Sequence, residues 1–162
     1  MWNPEFKYDE SSIARIYGFH RRLCLWSVRY RGTDENPGLV MGLASGGSCL
    51  GMAFRVPDSR IEPTLEYLYV RELISDAYRP VIKPVYLSGG ETHHALTFVS
   101  KTEHPQFAPK MSIETITGIT SRAIGPRGSN SEYIINTARH LDSMGIFDTE
   151  IHQVATQLEN CN

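Results

Sequence analysis

The chain has 162 residues, of which 41% are hydrophobic and 21% charged, and a formal net charge of −2. Those values suit one soluble globular domain with an ordinary buried core. A faintly acidic chain gives no electrostatic footing for nucleic acid or an anionic membrane, and no apolar run reaches the length of a membrane span.

The first stretch, to about Val56, is expected to be strand-rich. Between Arg15 and Arg29, arginines interleave with Ile, Tyr, Phe, Leu, Cys, Trp and Val, as on half-buried strands. The arginine cluster Arg15, Arg21, Arg22, Arg29 and Arg31 is therefore a strand face and not a nucleic-acid patch. Two apolar runs follow, Leu39 to Leu43 and Cys49 to Val56. Ala44-Ser45-Gly46-Gly47-Ser48 between them is expected to be a hairpin loop.

A helix is predicted after Pro63, which suits a first helical position, and Pro80 lies beyond its end. Leu65, Leu68 and Tyr69 recur at the spacing of one buried face. Glu72 follows Tyr69 by three and Leu68 by four, so it projects from that face. A carboxylate among apolar groups is poorly solvated, which favours its neutral form. Moved from ~4.3 towards 7, a glutamate becomes a usable proton carrier near neutral pH. The alternative is a marginal residue paired with Arg79 or Arg71. A second hairpin is expected from Val81 to Leu87 and Ala95 to Ser100, turning through Ser88–Thr92.

The last stretch is expected to be helical. Ser112 to Arg122 forms a short helix, then Gly125-Pro126-Arg127-Gly128 a loop. Ser129 and Glu132 have the spacing of a capping box. Ile134, Ala138 and Leu141 give the helix that follows an apolar face, and Gly145 ends it. Phe147, Ile151, Val154 and Leu158 supply the stripe of a terminal helix. Tyr133 lies in the first turn behind a glycine-bearing loop; it is either a core tyrosine bridging helix to sheet or a ligand contact. Strands first and helices last predict an α+β domain with an antiparallel or mixed sheet.

Cys24, Cys49 and Cys161 show no metal-ligand spacing, and Cys24 and Cys49 sit in apolar runs. Free thiols there fit a reducing, cytoplasmic setting. The opening residues are charged too early for a signal peptide. His93 and His94 are adjacent and would point to opposite faces of a strand. His20, His104, His140 and His152 are scattered, so neither a metal nor a cofactor is expected. Ser27, Ser45 and Ser48 lack a nucleophile elbow. Gly46-Gly47 and Gly89-Gly90 lack the helix and lysine of a phosphate loop and are expected to be hairpin turns.

A series of blocks, in order along nearly the whole chain, resembles the ChaC family of γ-glutamylcyclotransferases, which act on glutathione. They begin with Trp2-Asn3-Pro4, His20-Arg21-Arg22, Leu25-Trp26-Ser27, Arg31-Gly32-Thr33 and Asn36-Pro37-Gly38-Leu39-Val40. Gly46-Gly47-Ser48-Cys49, Gly51–Val56, Arg71-Glu72, Tyr78-Arg79-Pro80 and Gly125–Tyr133 complete them. The resemblance implies a small β-barrel of mixed strands with flanking helices, as one domain over 1–162. It makes Glu72, the glutamate after the arginine, the catalytic acid/base, and carries γ-glutamyl contact onto Tyr133. Trp2 and Asn3, in the opening block, join Tyr133 as implied substrate-binding residues.

One departure accompanies the match. Family members place an apolar strand and a Tyr-Gly-Ser-Leu loop directly before the Trp-Asn-Pro block, and here Met1 stands there. The sequence is therefore expected to be truncated relative to the family at its N-terminus. The implied activity is cleavage of glutathione to 5-oxoproline and cysteinylglycine. The alternative is an inactive γ-glutamyl-binding remnant or partner protein lacking that loop.

Overall fold

The computed structural model describes residues 4–160. In chain order these form strands β1 (Glu10–Ser27) and β2 (Gly38–Arg55), helix α1 (Ile61–Glu72), and strands β3 (Tyr78–Leu87) and β4 (Thr92–Ser100). Helix α2 (Ile113–Thr120), short strands β5 (Ile124–Gly125) and β6 (Gly128–Ser129), and helices α3 (Asn130–Ser143) and α4 (Thr149–Asn160) follow. The chain divides into two compact units. The first takes the residues up to His20 and Leu43–His104; the second takes Arg21–Gly42 and Pro105 onward. The α+β class is as the sequence predicts.

The main sheet has four strands in the order β2-β1-β3-β4. Ala14 lies opposite Leu87 and Ile16 opposite Val85 across the antiparallel β1–β3 pair. The antiparallel β3–β4 hairpin runs in register from Tyr78 opposite Ser100 to Tyr86 opposite Thr92, matching the predicted second hairpin. In the first unit Ala14, Ile16, Cys49 and Val85 form a buried cluster, edged by Phe19, Leu43, Ala53, Leu87 and Ala95. Ala14 and Ile16 share a face because alternate strand residues point the same way.

Two expectations about strands need correction. Among the described residues the sheet is open and not a barrel: β2 and β4 are its two ends, and closure requires end strands to pair with each other. The predicted loop Ala44–Ser48 is no hairpin, since β2 runs unbroken through it for 18 residues. A hairpin would pair 39–43 with 49–56, whereas the sheet neighbour of β2 is β1. Gly46 (φ +96°) and Gly47 (φ +69°) adopt left-handed backbone within the strand, and the strand continues through them.

In the second unit, Ser112 caps α2 by accepting from the Thr115 N–H at 3.2 Å. The β5–β6 pair sets Ile124 opposite Ser129 and Gly125 opposite Gly128. Ser129 caps α3, its hydroxyl accepting from the Glu132 N–H at 3.2 Å. Ile134, Ala138 and Leu141 on α3 are buried, as are Ile151, Val154 and Leu158 on α4. Phe147 departs from its expected place: it precedes α4, is 73% exposed, and stacks on His152 with ring centroids 4.6 Å apart. Loss of the α3 cap in Ser129→Ala is expected to lower unfolding stability by about 1 kcal/mol, measured by urea denaturation.

Candidate active site

Glu72 is the last residue of α1. Ile61, Thr64, Leu65 and Leu68 on that helix line a cleft of about 890 Å³, whose opposite wall includes Ala14 and Val85. Glu72 follows Leu68 by four and so continues the same stripe by one turn. Leu65 and Leu68 face this cleft and not a packed core, which corrects the sequence expectation. Leu65 is 38% and Tyr69 42% exposed, and Thr64 is the buried residue of the helix. Helical spacing identifies a shared face, but it does not say whether protein fills the space opposite.

The Glu72 side chain is itself only 16% exposed. Burial pushes its carboxyl above the ordinary glutamate range, outweighing the Arg71 cation, which pulls it down. Arg71 Nε lies 3.3 Å from Glu72 Oε1, so the ion pair expected as the alternative forms with Arg71. Arg71 is held in turn. Its Nη1 donates to Tyr67 Oη at 2.8 Å and to the Pro4 carbonyl at 3.4 Å, and lies 3.7 Å from Glu5 Oε2. Tyr67 donates its hydroxyl proton to Glu5 Oε2 at 2.7 Å. Partial burial, and after it the Glu5 hydrogen bond, raise the Tyr67 phenol and keep it protonated. Trp2 and Asn3, the other implied contacts at this end of the chain, lie outside the described residues.

Tyr133 belongs to the second unit, in the first turns of α3. Its Oη accepts from the Met41 N–H of β2 at 3.2 Å, and the Arg31 guanidinium lies over its ring, 5.3 Å from the centroid. The bridge from helix to sheet is therefore formed. Burial is the main cause pushing its phenol up.

Sequence patterns missed Asn130 beside it. Its fully buried carboxamide accepts from the Leu39 N–H at 2.6 Å and donates to the Leu39 carbonyl at 2.8 Å. One side chain thus pairs with β2 as a neighbouring strand would. The blocks around Arg31 meet here as well. The Arg127 N–H donates to the Tyr30 carbonyl at 3.0 Å, and its guanidinium stacks 4.4 Å from the Tyr30 centroid. A Cβ on Gly125 would sit 2.5 Å from the Gly32 nitrogen, and one on Gly38 2.6 Å from Asn130 Oδ1. Glycine is required at those close approaches.

His93 and His94 are neighbours on β4, and His93 Nε2 lies 3.1 Å from Glu91 Oε2. Among the described residues no group of three His, Cys, Asp or Glu side chains is placed to hold a metal ion. No helix among them is long and apolar enough to cross a membrane.

A profile of the ChaC-like protein family matches residues 1–161. The chain belongs to the ChaC-like family. The glutathione-specific γ-glutamylcyclotransferase of Escherichia coli is 30% identical over 98% of the chain and 69% of its own length. The Schizosaccharomyces pombe protein of the same name is 29% identical, over 98% of this chain and 87% of its own. A crystal structure of a yeast γ-glutamyl cyclotransferase specific to glutathione superposes with a TM-score of 0.83. It is 20% identical and covers 94% of this chain and 89% of that one, which establishes the shared fold. In this ChaC-like chain, Arg71-Glu72 and Tyr78-Arg79-Pro80 fall in the first unit. Arg31-Gly32-Thr33 and Gly125–Tyr133 fall in the second.

Proposed function

We propose that this chain is a cytosolic glutathione-specific γ-glutamylcyclotransferase that cleaves glutathione to 5-oxoproline and cysteinylglycine, with Glu72 as its proton carrier. The observation that carries the reading is a largely buried carboxylate, held above its ordinary range, in a chain aligned along 98% of its length with an enzyme of that name. The cytosolic placement is supported by Cys24 and Cys49, both buried free thiols.

The chemistry needs little else. The free α-amine of the γ-glutamyl group attacks its own γ-carbonyl carbon; the ring C–N bond forms and the bond to the cysteine nitrogen breaks. Ionised Glu72 accepts the amine's proton and then returns it to the departing nitrogen. No covalent intermediate and no metal enters this sequence of steps. Arg71 opposes the burial of Glu72 and so favours the ionised form that acts as base. Folding the substrate into attack geometry is the other requirement. Tyr133 suits substrate contact, because its oxygen accepts from Met41 while its own O–H remains to donate to a carbonyl or carboxylate. Trp2 and Asn3 complete the proposed binding set on family grounds.

Purified protein is expected to convert glutathione to equal amounts of 5-oxoproline and cysteinylglycine, with or without EDTA. Oxidised glutathione should turn over far more slowly, because its second half crowds a site built for one tripeptide. Activity lost to EDTA and restored by zinc would overturn the mechanism, and equal turnover of the two forms would contradict a site fitted to one tripeptide.

A further inference from the structure

Arg31, in the connection between β1 and β2, is a cation that the proposed chemistry leaves unused. Its half-buried guanidinium lies over the Tyr133 ring, 5.3 Å from the centroid. Of its side-chain nitrogens only Nη1 has a hydrogen-bond partner among the described residues, the Ser129 carbonyl at 3.3 Å. No carboxylate among them pairs with it, whereas the partly buried Arg21 of the same unit pairs with Asp148 at 3.2 Å. Every buried side-chain nitrogen and oxygen among the described residues has a partner, so the unpartnered Nε and Nη2 of Arg31 are reached by solvent. We infer that Arg31 is a specificity-determining residue: its Nε–Nη2 edge, beside Tyr133, takes a carboxylate of the substrate.

Nε and Nη2 lie on one edge of the planar guanidinium and present their N–H groups side by side, the arrangement that meets both oxygens of a carboxylate at once. Tyr133 adds a further donor. Its Oη accepts from the Met41 N–H, and its O–H has no acceptor among the described residues. Burial pushes the phenol up, so it keeps its proton. Donors and a positive charge together call for an anionic acceptor and disfavour an amine. The loop is also fixed in place. The buried Ser27 hydroxyl accepts from the Arg31 N–H at 3.1 Å, and Gly32 and Gly38 allow backbone approaches that any Cβ would block. A guanidinium held in this way gives up little freedom when it binds. Glutathione carries two carboxylates, one on the γ-glutamyl α-carbon and one on glycine, and Arg31 is assigned one of them.

The assignment rests on reading glutathione as the substrate, and the test separates the two. The Arg31 Nε–H signal, assigned by its loss in Arg31→Lys, is followed by nitrogen-15 NMR in Glu72→Gln, where the ligand is not consumed. Glutathione should shift it to saturation, and glutarate, a plain dicarboxylate, should shift it more weakly. Calorimetry then compares binding with and without Arg31→Met, which keeps an apolar side chain over Tyr133 and removes the charge. Glutathione should bind roughly 10–100-fold more weakly to Arg31→Met, as expected for a lost charge-assisted pair. Two altered ligands identify the carboxylate: γ-aminobutyryl-cysteinylglycine lacks the one on the γ-glutamyl group, and the glycine ethyl ester of glutathione masks the other. One of them should be insensitive to Arg31→Met. Equal weakening of all three ligands would make Arg31 a packing residue and overturn the inference. So would glutathione that the wild type turns over but that leaves the Nε–H signal unmoved, a result that keeps the proposed function and needs no folded Arg31→Met. Glutarate that moves the signal where glutathione neither binds nor turns over does the reverse: the carboxylate site stands and the substrate reading falls.

Discussion

Glu72→Gln is expected to lower glutathione turnover by ~10²–10⁴-fold, the range typical of a lost general acid/base. The substitution keeps the side chain's shape and removes the group that titrates. Glutathione binding should change much less, because the amide still forms hydrogen bonds. Stability should respond in the opposite sense to activity. The folded-state carboxyl is raised above its unfolded value, so its contribution is fully present below the unfolded value and is lost as pH rises through the folded one. At pH above the raised folded value the wild type bears the cost of a buried carboxylate, and there Glu72→Gln should melt at the same temperature or higher. Near-normal turnover by Glu72→Gln, or a large drop in its melting temperature, would make Glu72 a structural residue.

The second large effect is expected at Asn130. Asn130→Ala strands the N–H and carbonyl of Leu39, both of which its carboxamide satisfies in a fully buried position. At roughly 1–3 kcal/mol for each of the two buried groups left unpaired, the loss should be about 2–6 kcal/mol. Asn130→Asp keeps an acceptor for the N–H but cannot donate to the carbonyl, and it adds a buried charge, so it should not rescue. Urea denaturation of the wild type and both variants checks this. Overlapping curves for wild type and Asn130→Ala would mean that the two bonds contribute nothing net. Because Asn130 opens the helix that carries Tyr133, any loss of activity in Asn130→Ala has to be compared with the folded fraction.

The parts legible in the sequence are those whose physics is local. Ser129 and Glu132 mark a helix start because capping needs only a hydroxyl and an N–H three residues on. The Glu72 stripe is visible because helical spacing fixes which residues share a face, and Glu72 does continue the line of Leu65 and Leu68. What the stripe faces depends on distant chain, and there the sequence misled: Leu65 edges an open cleft, Tyr69 is 42% exposed, and neither is core. Gly46-Gly47 has the composition of a turn, but it lies inside a long strand, which only the pairing partner of β2 reveals. Barrel closure is likewise a property of how strand ends meet and leaves no mark in any single strand. Asn130 was invisible because a polar residue after a cap looks solvent-facing until Leu39 is brought beside it. Phe147 follows the spacing of α4 but precedes its first turn, so apolar character alone did not place it.

The most direct test of the central claim is the fate of oxygen when the purified protein turns over glutathione in heavy-oxygen water. Attack by the substrate's own amine draws no atom from solvent, so the account predicts unlabelled 5-oxoproline released one for one with cysteinylglycine, and this product should vanish in Glu72→Gln. Glutamate carrying the heavy-oxygen label would mean that water, not the γ-glutamyl amine, attacks the carbonyl, and would contradict the assignment of this chain as a cyclotransferase.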